Sequence, residues 1–201
     1  MQEPLDNEVD RLLKRAQRVR LEQFTQSRSA RELREMSVET RLAARLQRLA
    51  GFSPGIGREA VLQASLEAAI AVFGADFGNI QRVVHRGMGL EIVAQHGFEA
   101  PFLNYFAYVR DSSTPCGIAL RAGDLVCVQD VATSQLFQGT EALEKLLAAQ
   151  VRAVSSMPLT SARGEVIGML SIHYRSPREH SPSERLRMRA LAKVVGRAIG
   201  G

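Results

Sequence analysis

The chain has 201 residues, 45% of them hydrophobic, a formal charge of +5 and only two cysteines. Such a length suits one globular domain with an appendage, whose core needs neither a metal nor a disulfide. No run approaches the ~20 apolar residues of a membrane span, and the acidic, polar start is no secretory signal, so a cytoplasmic, membrane-free protein is expected.

Residues 8–50 are rich in Leu, Arg, Glu, Gln and Ala, a helix-forming composition. Leu5, Val9, Leu12, Ala16 and Val19 recur in a heptad-like seam, which predicts a helical arm over residues 1–50. The arm either dimerises or packs on the domain that follows. Arg11, Lys14, Arg15, Arg18 and Arg20 are interspersed with acidic residues, the usual pattern of a solvated face. Phosphate contacts by these five remain the alternative, a nucleic-acid-associated regulator. Residues 51–57 hold three glycines and a proline, cannot continue a helix, and mark a linker before a domain over 58–201.

Val61, Leu62, Leu66, Ala69, Ile70 and Phe73 form one face of an amphipathic helix, closed by Gly74 at the C-cap. Phe77 to Val84 and Leu90 to Gln95 read as strands of a hairpin across the turn 86–89. Short helices are expected over 100–107 and from Pro115 to Arg121, and Leu125 to Val128 reads as a buried strand. Thr140 opens a helix with a loose capping box, and a second hairpin pairs Ala153 to Leu159 with Glu165 to Tyr174. Ser181, Pro182 and Glu184 supply N-cap, N1 and N3 of a last helix, with Leu186, Leu191, Val194, Val195 and Ala198 as its apolar face. Hairpins alternating with helices predict an α+β domain on an antiparallel sheet. His85, His96 and His180 fall in turns or loops and are expected to be solvated. Asp130 reads either as a ligand-binding carboxylate or as a turn cap. Both thiols read as reduced and buried.

Five phrases, Gly74 to Gln81, Cys116 to Gly123, Val128 to Val131, Val151 to Leu159 and Gly168 to Tyr174, together resemble the GAF domains of bacterial sensor kinases, in the family's order. The resemblance implies a six-stranded antiparallel sheet flanked by helices, and a small-molecule pocket between the sheet and the short helices. On that analogy the candidate site residues are Phe102, Tyr105, Phe106, Cys116, Asp130, Phe137, Gln138, Ser156 and His173. It further implies a non-enzymatic sensing or relaying module of the two-component kind, acting as a homodimer or on a histidine kinase or other signalling partner. The ligand and any cofactor stay unnamed. Neither cysteine is followed by the His of bilin-binding members, and the Asn-Lys-Xaa-Phe-Asp-Glu signature of the cyclic-nucleotide branch is missing. Haem would rest on His173 alone. The family's methionine sulfoxide reductases work through a cysteine pair. Cys116-Gly117 resembles one half of it, but no cysteine stands near Ala148 to Gln150, where the partner is expected.

Overall fold

A computed structural model describes residues 58–84, 89–110 and 114–200. The arm over 1–50, the linker over 51–57, the turn after Val84 and His85 lie outside the described residues. In chain order the elements are α1 (Arg58–Phe73), β1 (Phe77–Val84), β2 (Gly89–His96), α2 (Ala100–Phe106), β3 (Tyr108–Val109), α3 (Pro115–Ala122), β4 (Val126–Val128), α4 (Glu141–Ala148), β5 (Ala153–Thr160), β6 (Val166–Tyr174) and α5 (Pro182–Ile199). The strands form one six-stranded sheet in the order β3-β2-β1-β6-β5-β4, every neighbouring pair antiparallel. This is the α+β architecture that the alternation of hairpins and helices predicts.

Strand alternation divides the interior into two layers. Ile80, Met157, Leu159, Leu170, Ile172 and Tyr174 face α1 and α5, packing on Leu62, Leu66, Phe73, Leu191 and Val195. Phe77, Leu90, Val154 and Met169 point the other way, into a core closed by Phe102, Phe106, Ala119, Phe137 and Leu146 from α2, α3, α4 and the segment before α4. β6 is buried from Gly168 to Tyr174 on both faces.

The helix ends follow their sequence signals. Thr140 accepts from Leu143 N, and Ser181 and Glu184 complete a full capping box at α5. Gly123, in the left-handed region at φ 64°, closes α3 and donates to Ala119 O. Within α1, Ser65 is buried too, its hydroxyl donating to Val61 O at 2.7 Å.

Two expectations are corrected. Leu186 is 68% exposed, and Met188 takes its place in the core beside Leu191, Ala192 and Val195. Five residues from Leu191 is about 140° around a helix, whereas three residues is about 60° off the seam. The strand read as buried, β4, is half-buried, because it is the sheet edge and pairs only with β5.

α5 approaches β5 closely at Gly196, where a side chain would run into the Thr160 backbone. Replacing Gly196 by Ala adds up to about 1 kcal/mol of helix propensity. The contact cannot yield by a rotamer change, so Gly196→Ala is expected to lower stability by about 1–3 kcal/mol. Urea denaturation of the variant checks this. An unchanged or raised midpoint would mean that α5 does not sit against β5 as described.

Candidate ligand-binding site

Between the sheet and helices α2 to α4 lies a chamber of about 30 Å³. Its floor is polar. Asn79 and Gln81 come from β1, Ser156 from β5, and Ser171 and His173 from β6. Register explains the grouping: Asn79 opposes Ser171, and Ser171 opposes Ser156, so three polar residues form a row across the sheet centre. The roof is apolar, with Phe102 and Phe106 from α2, Phe137, and Leu146 from α4. Thr114, Pro115 and Cys116, at the start of α3, close one side.

The polar floor is only partly satisfied. Ser156 Oγ and Ser171 Oγ share a hydrogen bond of 2.9 Å. Asn79 Oδ1, Gln81 Oε1 and His173 Nδ1 are buried without a protein partner. Each such group costs on the order of 1–3 kcal/mol unless water or a ligand meets it. The chamber's volume suits a water molecule or two and excludes an organic molecule in the present packing. Phe98 meets the His173 ring edge-on at 5.0 Å, and Phe102 does so at 5.9 Å. Burial alone drives the His173 pKa down to about 3, so the imidazole is neutral. Burial likewise raises the Cys116 thiol pKa, against the lowering effect of hydrogen bonds with Thr114 and Gln81.

Six of the nine candidate residues meet here: Phe102, Phe106, Cys116, Phe137, Ser156 and His173. Tyr105, Asp130 and Gln138 stand outside the chamber. Tyr105 is exposed on α2 with Lys145 over its ring. Asp130 makes a two-point pair with Arg152, at 2.8 and 3.1 Å, and accepts from Ala132 N. The hydrogen bonds from Arg152 lower its pKa, so the turn-cap role is the one its contacts describe. Gln138 Nε2 donates to Ala132 O in the same loop. The sequence reading missed Asn79, Gln81, Thr114 and Ser171. A signal existed for three of them: alternation from Phe77 puts Asn79 and Gln81 on the helix-covered face, and alternation from Met169 does the same for Ser171 and His173.

The other sheet face carries a second correction. His180, expected in solvent, is buried, with Nε2 3.0 Å from Ser155 Oγ and Nδ1 4.0 Å from Glu184 Oε1. Ser155 Oγ also donates to Cys127 Sγ at 3.4 Å. Cys127 opposes Ser155 in the β4–β5 register and therefore faces α5, whereas Cys116 lines the chamber. The two thiols lie on opposite faces of one sheet. Both are free and each residue is half-buried, although the Cys116 thiol itself is buried as expected.

An antiparallel six-stranded sheet with its terminal helices on one face and a roofed polar chamber on the other defines an α+β class of domain. The chain belongs to the GAF domain family, whose model matches residues 57–199. No curated protein matches the sequence. Among solved structures, a domain of a putative two-component sensor histidine kinase from Sinorhizobium meliloti is 20% identical, with TM-score 0.55 over 69% of this chain and 87% of that one. Free methionine-R-sulfoxide reductase from Neisseria meningitidis is 18% identical, with TM-score 0.62 over 80% of this chain and 87% of that one. A phycoerythrobilin-bound GAF domain of a cyanobacterial phytochrome is 22% identical, with TM-score 0.59 over 83% and 94%. At these identities the likeness is one of fold. Among the described residues no helix is long and apolar enough to cross a membrane.

The buried His173 has a consequence for acid stability. Its folded pKa, about 3, lies below the ordinary imidazole value of 6.5, so the unfolded chain binds the proton first. The stability it contributes is present above pH 6.5 and is lost as pH falls towards 3. At pH 5 the loss is about 2 kcal/mol. Burial depresses His180 too, in the same direction, so the measurement is the difference between wild type and His173→Gln. Urea denaturation at pH 7.5 and pH 5 is expected to give the variant the flatter profile, and equal slopes would refute a neutral buried imidazole.

Proposed function

We propose that this GAF domain is a non-enzymatic signal-transduction module that holds a small molecule in the chamber between the sheet and α2–α4. The observation that carries the reading is the chamber's floor: three buried polar atoms without partners, under a roof of phenylalanine rings. A fold does not retain such groups for stability, since apolar replacements of similar shape are neutral or better. A water molecule or a ligand must complete them.

Sensing requires that the ligand bind two conformations with different affinity. The route out of the chamber is short. Ser156 lines it, and its neighbour Ser155 bonds to His180 on the opposite face, one residue before the N-cap of α5. A shift of β5 in response to the ligand is thereby felt at the start of α5. We further propose that residues 58–201 form the sensory unit and that residues 1–50 are a helical arm through which it dimerises or meets a histidine kinase or other signalling partner. The resemblance to sensor-kinase domains supports this assignment.

The reductase neighbours raise an enzymatic alternative, which the thiol geometry disfavours. Cys116 is kept protonated by burial, and Cys127 lies across the sheet, so neither can attack a disulfide or sulfenic acid formed on the other without a large backbone movement. Incubation with free methionine sulfoxide and a dithiol reductant is expected to give no methionine. Turnover that depends on Cys116 would overturn the non-enzymatic reading.

The direct test is native mass spectrometry, with an absorbance spectrum, on protein purified from its own host. We expect a retained small molecule that denaturation releases. Ser156→Leu, which fills the chamber, should abolish retention. An empty wild-type protein, or a compound retained equally by the variant, would sink the chamber reading.

A further inference from the structure

The chamber's chemistry also restricts what it can hold. None of its described lining residues is charged. An anion or cation placed there would lose its hydration and meet no opposite charge. The unpaired atoms narrow the choice further. Asn79 Oδ1 and Gln81 Oε1 are both acceptors, two residues apart on one strand face, and both side chains are at least nine-tenths buried. The Gln81 side chain is also in hydrogen-bond contact with the Cys116 thiol. A complementary occupant therefore supplies N–H or O–H donors. Above the floor, the rings of Phe102, Phe106 and Phe137 line the chamber, and aromatic walls pack well on a planar molecule.

Room for such a molecule exists one side chain away. A second, open cavity of about 260 Å³ is lined by Phe77, Phe98, Phe102 and Arg175, so Phe102 forms part of both walls. Its ring lies on Phe98 at 3.7 Å with an interplanar angle of 2°. A face-to-face sandwich is the least favoured aromatic arrangement, so that contact adds little, and the burial Phe102 loses on leaving is restored by the apolar face of the molecule that takes its place.

We propose that the chamber takes a planar, uncharged molecule carrying amide-type N–H donors, which enters from the outer cavity by displacing Phe102. This deepens the sensing reading and rests on it.

The probes are benzamide, benzoate and benzamidine, which share one shape and differ in charge. They are titrated into the isotope-labelled full chain and followed by NMR. Benzamide is expected to bind, with shift changes centred on Phe98, Phe102 and His173. Benzoate and benzamidine should bind at least about tenfold more weakly, and tenfold is about 1.4 kcal/mol. Equal or tighter binding of either charged probe overturns the ligand class. Failure of all three identifies a water-filled cavity and overturns the proposal too.

Asn79→Leu supplies an independent arm. It should leave the unliganded melting temperature unchanged or raised, because it removes a buried amide oxygen that has no partner. It should also weaken benzamide at least about tenfold. A clear drop in melting temperature would show that Asn79 already has a structural partner, and would count against the proposal. Gln81→Met, which also removes the contact with the Cys116 thiol, gives the binding readout should the first variant fail to fold. If protein from the host retains a charged compound in the chamber, the neutral class fails while the sensing reading stands. If that protein is empty yet benzamide binds selectively, the reverse holds.

Discussion

β6 sits at the centre of the sheet with β1 on one side and β5 on the other, and both its faces are buried. Every residue along it must therefore be apolar or hydrogen-bonded. The side facing α1 and α5 obeys through Leu170 and Ile172, while the buried Tyr174 hydroxyl there has no protein partner. The side facing α2 to α4 obeys at Met169, and at Ser171 through its bond to Ser156, but not at His173. The two layers nevertheless differ in how much polar surface they enclose. One layer is an ordinary core between long helices and a sheet. The other is built from short helices around a polar interior that the chain itself does not complete.

The short helices suit that role. α2 has seven residues and α3 eight, too short to be stable alone; buried rings hold α2, and the caps Thr114 and Gly123 hold α3. Phe98, Phe102 and Phe106 stack in sequence against Phe77 and His173. Aromatic rings can close a chamber completely and still rotate out of it, because their contacts are mainly non-directional. A roof fixed by hydrogen bonds to Asn79 and Gln81 would have satisfied the floor and sealed it. The phenylalanine roof leaves those acceptors available to something else.

Much of the fold was legible because its signals are local. The hairpins, the glycine caps and the capping box at Ser181 depend on neighbours within a few residues, and each appears where the pattern put it. What escaped the reading depends on distant partners. Leu186 is as apolar as Leu191, and only the direction from which β5 and α1 approach decides which of them is covered. His180 lies in a polar stretch that reads as loop, yet Ser155, 25 residues away, buries it. Cys127 was read as a buried strand residue because a sequence does not reveal which strand is the edge. At the site, the resemblance located the walls and found the aromatic half of the chamber. It passed over Asn79 and Gln81, since a polar residue in a strand normally means a solvent-facing position. Only the two-sided burial of β1 turns those amides into interior groups.

The adjacency of Ser155 and Ser156 gives the two layers a direct covalent link. Successive residues on a strand point to opposite faces. The peptide between them is planar and stiff, so neither side chain's anchor moves without the other. Ser156 is tied to Ser171 in the chamber floor, and Ser155 is tied to His180 at the entry to α5. β5 is also pressed from behind by α5 at Gly196, which leaves it little freedom to absorb a displacement locally. A change in the chamber's contents that disturbs the Ser156–Ser171 pair therefore has two outlets, the register of β5 against β6 and the seating of α5. The register is fixed by eight paired positions along the strand, and slipping it would turn every side chain to the wrong face. The seating of α5 rests on an apolar seam with the close approach at Gly196, helped by the His180 contact, the capping box and the exposed Arg189–Asp124 pair, and is the softer of the two.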